Sequence, residues 1–156
     1  MGIEIERKFL VKHSKLPIVA NEEIYIKQGY ILNSKEKVVR IRVTNNSAFI
    51  TIKGQNNGIS RQEFEYSIPY NEGIELLENM CNDIIEKTRY ICNINDTTWE
   101  IDFFHGDNEG LIIAEVELIN ESETFSRPEW LGEEVSNDVK YYNNNLISNP
   151  YKNWRK

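Results

Sequence analysis

The segment Ile3-Glu4-Ile5-Glu6-Arg7-Lys8-Phe9 decides the fold class, because its side chains alternate in character with a period of two residues. In a β-strand, successive side chains point to opposite faces of the sheet. Glu4, Glu6 and Lys8 therefore share one face, while the other face is mostly apolar. This pattern predicts a strand that separates a charged environment from an apolar one.

The same alternation recurs along the chain and predicts eight strands in all. They span about residues 2–12, 23–32, 37–44, 47–54, 60–68, 84–94, 97–105 and 110–119. Turn-forming residues separate several of them, for example Asn45-Asn46-Ser47 and Asn95-Asp96. Turns of this composition join antiparallel strands, so we expect most neighbours in sequence to pair antiparallel.

Between the fifth and sixth strands, residues 71–83 have helical spacing. Ile74, Leu77, Met80 and Cys81 fall on one face of this segment, and Asn71 precedes them as a candidate N-cap. We therefore predict one helix that crosses between two strands.

After residue 119 the period of two disappears. Ser126-Arg127-Pro128-Glu129 is typical of a capping box, which predicts short helical pieces at about 127–131 and 137–148. Pro150 would end the last piece. The chain is thus predicted to carry strands over about 2–119 and a helical segment over about 126–150.

The charged faces of the strands are sorted by sign. Carboxylates dominate the first, seventh and eighth strands, and cations dominate the third, fourth and sixth. The seven cations are Lys8, Arg40, Arg42, Lys53, Arg61, Lys87 and Arg89, and the eight carboxylates are Glu4, Glu6, Glu63, Glu65, Glu100, Asp102, Glu115 and Glu117. One interpretation is a sheet with one face in water. The other is a closed barrel with the charges inside, which would need a wet lumen filled with a polyanion and a divalent metal ion.

The composition of the chain limits which kinds of binding partner can be expected. The chain has 156 residues with 18 Lys plus Arg against 25 Asp plus Glu, a formal net charge of −7. One domain is therefore expected, and a nucleic-acid partner is not. No apolar run is long enough to span a membrane, and the acidic start lacks the regions of a secretory signal, so we expect a cytoplasmic protein without membrane attachment. Cys81 and Cys92 are expected to be reduced and structural.

The segment Glu4-Ile5-Glu6-Arg7-Lys8 resembles the Glu-x-Glu-x-Lys signature that opens the CYTH domain, whose superfamily is also called the triphosphate tunnel metalloenzymes. Seven further pieces follow in the order of that family. They are Gln28-Gly29-Tyr30, Arg40-x-Arg42, Thr51-x-Lys53-Gly54, Arg61-x-Glu63-x-Glu65, Lys87-x-Arg89-Tyr90, Glu100-x-Asp102 and Glu115-x-Glu117. The resemblance covers essentially the whole chain. It implies a single CYTH domain over residues 1–156, mainly β, with an eight-stranded antiparallel closed barrel and a few peripheral helices.

The resemblance also implies roles for the charged residues. Glu4, Glu6 and Glu117 would hold the main metal ion, Mg²⁺ or Mn²⁺, and Asp102 and Glu115 would bind it directly or through water. The phosphate oxygens would be held by Lys8, Arg40, Arg42, Lys53, Lys87 and Arg89. Arg61 is assigned to phosphate, Glu63 to a second metal ion or the attacking water, and Glu65 to either. Lys8 and Glu63 are the residues expected to take part in catalysis.

Tyr30 matches a family tyrosine that can lie in the tunnel, and an ordinary packing role stays equally open. The first hypothesis for function is metal-dependent hydrolysis of inorganic tripolyphosphate, with nucleoside triphosphates such as ATP as poorer substrates. The alternatives are a class IV adenylate cyclase, a thiamine triphosphatase, and a binding module for polyphosphate or a nucleotide without turnover. An incompletely covered apolar exterior would also permit a homodimer.

Overall fold

The computed structural model describes residues 2–16 and 19–154, so Met1 and the last two positions of the predicted domain lie outside the described residues. Within this part of the chain there are nine strands and one α-helix. They are β1 (Ile3–Val11), β2 (Glu22–Asn33), β3 (Val38–Val43), β4 (Ala48–Lys53), β5 (Ser60–Ile68), α1 (Tyr70–Met80), β6 (Ile84–Ile94), β7 (Thr97–Phe104), β8 (Ile112–Glu117) and β9 (Leu131–Glu134). The eight predicted strands are all present, with bounds that differ by at most two residues.

Eight strands close into an antiparallel barrel, as predicted. Their order is β5-β4-β3-β2-β6-β7-β8-β1, and β1 pairs back with β5. Register places Glu6 opposite Glu117 and Lys8 opposite Glu115 across β1 and β8, so the charged faces of neighbouring strands coincide. Since these faces point into the barrel, the alternative interpretation of a sheet with one face in water is excluded.

The ninth strand, β9, was not predicted. It pairs with the end of β1, where Phe9 lies opposite Glu134 and Val11 opposite Leu131. A four-residue strand is too short to show a period of two, and Gly132 packs against the Leu10 backbone so closely that an added Cβ would lie 2.9 Å from the Leu10 carbonyl oxygen. Only a glycine accommodates that approach without displacement.

The predicted helix after β5 exists as α1, but it ends at Met80, and Met80 is 60% exposed and does not lie on the buried face. The predicted N-cap is also wrong. The helix begins at Tyr70, so Pro69 occupies the N-cap position without a side-chain hydrogen bond and Asn71 lies inside the helix. Proline has a fixed φ and no N–H group to satisfy, which suits it to the start of a helix. Gly73 of α1 lies against Ala48 of β4, and this contact seats the helix on the barrel wall.

The predicted helical piece at 127–131 is wrong, and the piece predicted at 137–148 is present only as short 3₁₀ helices. Residues 127–130 form irregular structure and a turn before β9, and only short 3₁₀ turns follow, at Val139–Tyr141, Asn143–Asn145 and Tyr151–Asn153. Asp and Asn side chains bond to the backbone locally and so compete with an α-helix. Here Asp138 accepts from the Lys140 N–H, and the Asn145 amide donates to the Val139 carbonyl at 2.6 Å.

Apolar side chains on the outside of the barrel form the main core. Phe9, Trp99 and Trp130 are almost completely buried, and Trp99 contacts both of the others edge to face. At one end of the lumen, the inward-facing Ile85, Phe104 and Ile113 pack with Leu146 from the C-terminal segment. This segment therefore closes part of the barrel interior with apolar groups. No helix in the described part of the chain has the length and apolar composition that crossing a membrane requires.

Candidate active site

The barrel interior contains one cavity of about 200 Å³ that gathers the charged residues. All seven predicted cations line it, together with Tyr30 and seven of the eight carboxylates. The eighth, Asp102, is 1% exposed and lies behind Lys87 and Arg89, with which it forms ion pairs. Alternation along the strands thus brings residues up to 113 positions apart, Glu4 and Glu117, into one site.

One wall of the cavity is cationic and comes from β2, β3 and β6. Arg42 donates from Nε and Nη2 to the Gln28 side-chain oxygen at 2.9 and 2.8 Å. Burial lowers the pKa of Arg42 to about 9, and the charges of Arg40 and Arg89 add to this effect. The Arg40 Nε is buried without a hydrogen-bond partner among the described residues. Crowded cations with an unused buried donor favour the binding of an anion with several oxygen atoms.

A buried ion-pair network lies at the base of this wall. Arg89 holds both oxygens of Asp102, at 2.8 and 2.9 Å, and the Lys87 Nζ lies 2.8 Å from Asp102. Burial alone would raise the pKa of Asp102, but the two cations outweigh it and hold that pKa well below its usual range. Burial also lowers the pKa of Lys87 to about 7, and repulsion from Arg89 and Arg42 contributes.

The opposite wall is acidic and comes from β1, β7 and β8. Glu4, Glu6, Glu100 and Glu117 all have raised pKa values; desolvation is the largest cause, and neighbouring carboxylates add to it. Lys8 relieves part of this crowding. Its Nζ lies 3.0 Å from Glu6 and in close contact with Glu115, whose pKa Lys8 lowers to about 2 against the effect of burial.

The strands β4 and β5 join the two walls. Lys53 Nζ lies 3.0 Å from Glu4 and 3.4 Å from Glu63, and contact with Glu63 is one of the causes that raise the pKa of Glu4. The Glu63 Oε2 is buried and accepts no hydrogen bond from the described residues. Glu65 accepts from Thr51 at 2.9 Å, and the Arg61 Nε donates to the Gly54 carbonyl at 2.6 Å.

The donor set of the acidic wall fits a hard divalent cation. Its ligand atoms are carboxylate oxygens, the type that Mg²⁺ and Mn²⁺ prefer. Burial is the largest cause of the raised pKa values of Glu4, Glu6 and Glu117, and neighbouring carboxylates add to it, so a bound cation would stabilise the ionised forms. Within residues 2–16 and 19–154, no three acidic, histidine or cysteine side chains are already gathered in a ligating arrangement. The fit is therefore one of charge and donor chemistry.

Several residues that line the cavity were missed by the sequence analysis. They are Asn56, Gly58, Ile59, Ser136, Tyr142, Asn143 and Asn144. These residues come from a turn and from the irregular C-terminal segment, where no period reveals which side chains point inward. The run Asn143-Asn144-Asn145 was the single signal available in that segment.

Comparison with known proteins gives a consistent result. The CYTH domain family matches residues 2–151. An inorganic triphosphatase of Acetivibrio thermocellus is 48% identical over 156 residues, covering 99% of this chain and 99% of the relative. An inorganic triphosphatase of Nitrosomonas europaea is 35% identical, covering 92% of this chain and 95% of the relative. The crystal structure of an inorganic triphosphatase superposes with a TM-score of 0.67 at 32% identity, covering 92% of this chain and 93% of that one.

Proposed function

Because the chain belongs to the CYTH domain family, we propose that it is an inorganic triphosphatase, which hydrolyses tripolyphosphate with the help of a divalent metal ion. The observation that carries this proposal is the division of the cavity into a cationic wall and an acidic wall. A phosphate chain needs the first wall and its metal ion needs the second. Full-length similarity to two inorganic triphosphatases supports the same reaction.

The cationic residues bind the substrate in this proposal. They are Lys8, Arg40, Arg42, Lys53, Arg61, Lys87 and Arg89, with Tyr30 beside them. Guanidinium groups match the planar spacing of phosphate oxygens and stay charged when partly buried. The unused Nε of Arg40 supports a direct contact between that side chain and a phosphate oxygen.

The acidic residues hold the metal. Glu4, Glu6 and Glu117 provide oxygens for the main ion, and Glu63 and Glu65 for a second ion. Asp102 and Glu115 are already engaged by cations, which favours contact with the metal through water. When bound, Mg²⁺ or Mn²⁺ supplies positive charge against the phosphate oxygens and activates water.

The remaining chemistry depends on position and charge, because phosphoryl transfer requires no nucleophilic side chain. Lys8 faces the cavity between Glu6 and Glu115 and is placed to stabilise charge on a reacting phosphate. The Glu63 Oε2 lies 3.4 Å from the Lys53 Nζ but accepts no hydrogen bond from the described residues, so it can accept one from the attacking water. Cys81 and Cys92 are buried in apolar clusters away from this site. We also propose that the whole chain forms a single domain.

The test is a product assay on tripolyphosphate, ATP and thiamine triphosphate, each with Mg²⁺ or Mn²⁺, that measures phosphate and cyclic AMP. We expect rapid phosphate release from tripolyphosphate, slower release from ATP, and no cyclic AMP. Glu117→Gln should lower the rate about a hundredfold or more, the usual scale for removing a transition-state electrostatic contact. Glu121→Gln makes the same change of charge on an exposed residue outside the cavity and should leave the rate unchanged.

Two results would contradict the proposal. Formation of cyclic AMP from ATP would assign the chain to the adenylate cyclases. Binding of tripolyphosphate without turnover of any of the three compounds would indicate a binding module. A larger rate with thiamine triphosphate than with tripolyphosphate would change the substrate and leave the reaction class intact.

A further inference from the structure

The C-terminal segment reaches the cationic wall through one side chain, Asn143. Its Oδ1 accepts a hydrogen bond from the Lys87 Nζ at 2.8 Å and another from the Gln28 Nε2 at 3.1 Å. The Gln28 Oε1 in turn accepts two hydrogen bonds from the Arg42 guanidinium group. Asn143 is therefore connected directly to one cavity cation and through Gln28 to a second.

The orientation of this chain of hydrogen bonds follows from its two ends. Arginine and lysine have donors only, so Gln28 must present its oxygen to Arg42 and Asn143 must present its oxygen to Lys87. The Gln28 amide nitrogen is then left to donate to Asn143. Gln28 is 0% exposed and Lys87 is 1% exposed, so water has little access to replace these partners.

The arrangement limits how Lys87 can contact a ligand. A phosphate anion bound beside Lys87 favours its protonated form, and an ammonium group has three N–H donors. In the described residues, Asp102 and Asn143 are the polar partners of Lys87, which leaves one donor for the cavity. Two fixed bonds determine the direction of the third, so the position of the Asn143 oxygen sets where Lys87 can hold a phosphate oxygen.

From this geometry we infer that Asn143 is a positioning residue for the phosphate chain, holding Lys87 directly and Arg42 through Gln28 in the orientation that binds the triphosphate. The inference rests on the proposed function, because it takes tripolyphosphate as the ligand. Asn143 acts through these cations, and its loss should weaken binding of the substrate more than it slows the chemical step.

The first experiment compares Asn143→Ala with Asn145→Ala. Asn145 belongs to the same 3₁₀ turn, but its amide donates to the Val139 carbonyl and it does not line the cavity. Asn145→Ala therefore loosens the segment without removing a bond to Lys87. For each variant we would measure the Kd of tripolyphosphate by calorimetry without metal, and then KM and kcat with Mg²⁺.

We expect Asn143→Ala to raise Kd and KM about tenfold, the usual effect of losing a hydrogen bond to a charged group, and to change kcat by less than about threefold. Asn145→Ala should lower the melting temperature by a similar amount and leave Kd and KM near the unmodified values. An unchanged Kd in Asn143→Ala overturns the inference. An equal loss of affinity in both variants also overturns it, because the effect would then be structural.

A second experiment tests the relay through Gln28. Gln28→Leu should raise Kd about tenfold by itself. Combined with Asn143→Ala, the total should stay well below the hundredfold that independent effects would give, because both changes break the same chain. Fully multiplicative effects contradict the relay. Should Asn143→Ala not fold, Asn143→Leu, which has a similar volume and no acceptor for Lys87, replaces it in the same comparison of Kd.

The two proposals fail in different ways. If the unmodified protein binds tripolyphosphate but does not hydrolyse it, the proposed function is wrong and the Kd comparison still tests Asn143. If hydrolysis is observed and Kd is indifferent to Asn143, the inference alone is wrong. Absence of tripolyphosphate binding overturns both.

Discussion

The cationic and acidic walls of the cavity differ in how their charges are compensated. On the cationic wall, Arg42 is held by the neutral side chain of Gln28, and its pKa is lowered. On the acidic wall, Glu4 and Glu6 have raised pKa values although Lys53 and Lys8 lie beside them. Burial and like-charge repulsion therefore favour the uncharged forms of Arg42, Glu4 and Glu6, whereas ion pairs hold Asp102 and Glu115 in their ionised forms. An anion beside Arg42 together with a cation beside Glu4 and Glu6 would compensate the charges that have no full partner.

The largest effect on stability is expected at Asp102, where buried opposite charges are fully paired. Asp102→Asn would leave Lys87 and Arg89 buried without their shared carboxylate, and removing one partner of a buried ion pair costs about 3–5 kcal/mol. We expect a loss of that size in the free energy of unfolding, measured by urea denaturation. Glu134→Gln breaks the partly exposed pair with Arg7 and should cost no more than about 1 kcal/mol. Similar losses in both variants would show that the buried Asp102 network contributes no more to the free energy of unfolding than a partly exposed ion pair does.

Removing an uncompensated cation should separate stability from activity. Arg42→Met deletes a phosphate-binding group and should lower kcat/KM for tripolyphosphate about a hundredfold. Stability is compared in the Arg42→Met/Gln28→Leu double variant, because Arg42→Met alone leaves the buried Gln28 oxygen without its donors. The double variant also loses the repulsion with Arg40 and Arg89, so its free energy of unfolding without ligand should stay equal or increase. Steady-state kinetics of the single variant and urea denaturation of the double variant provide the two values. A clear loss of stability would mean that the cationic wall is compensated after all.

Ligand binding should stabilise the protein through both walls. Tripolyphosphate at about a hundred times its Kd should raise the free energy of unfolding by about 2.7 kcal/mol. Mg²⁺ alone should give less, because the cationic wall remains uncompensated, and the two ligands together should exceed either one. Thermal unfolding with the slowly reacting Glu117→Gln variant and with the unmodified protein measures these shifts. If Mg²⁺ alone stabilised the protein as much as both ligands together, the cationic wall would not need an anion, and the contrast between the two walls would be wrong.

The smallest effect concerns pH. Carboxylates with raised pKa values bind more protons in the folded state than in the unfolded state, so stability without ligand should fall as pH rises from about 4.5 towards neutrality. Lys87 acts in the opposite direction above its pKa of about 7, where the folded state has lost a proton that the unfolded state keeps, so stability should then rise with pH. The melting temperature across pH 5–9 should pass through a minimum. Glu6→Gln should flatten its acidic side, and an unchanged profile would exclude Glu6 as a cause.

Most of the barrel and the charged lumen could be predicted from the sequence because both depend on a local period of two residues. The alternation of Glu4, Glu6 and Lys8 is visible without any knowledge of their neighbours in space. The bounds of β6 were predicted correctly for the same reason.

The C-terminal segment could not be predicted in this way. β9 exists because its backbone meets the end of β1, and Asn143 enters the cavity because of contacts with residues 56 and 115 positions away. The motif Ser126-Arg127-Pro128-Glu129 favours a helix locally, but this preference is overridden by the pairing of the chain that follows it. Non-local contacts of this kind leave no periodic signal in the sequence.

Closure of the barrel through β1 has a consequence for folding. The first residues of β1 pair with β5, and its centre pairs with β8, which comes much later in the chain. Lys8 and Glu115, which are in contact across these two strands, are 107 positions apart. During synthesis, β1 therefore leaves the ribosome long before its partners β8 and β9 exist. Pairing at such sequence separation is slow, and an open strand edge is prone to associate with other chains. Glu6 and Lys8 lie on the part of β1 that pairs with β8, and charged side chains on an unpaired strand disfavour association of that strand with other chains.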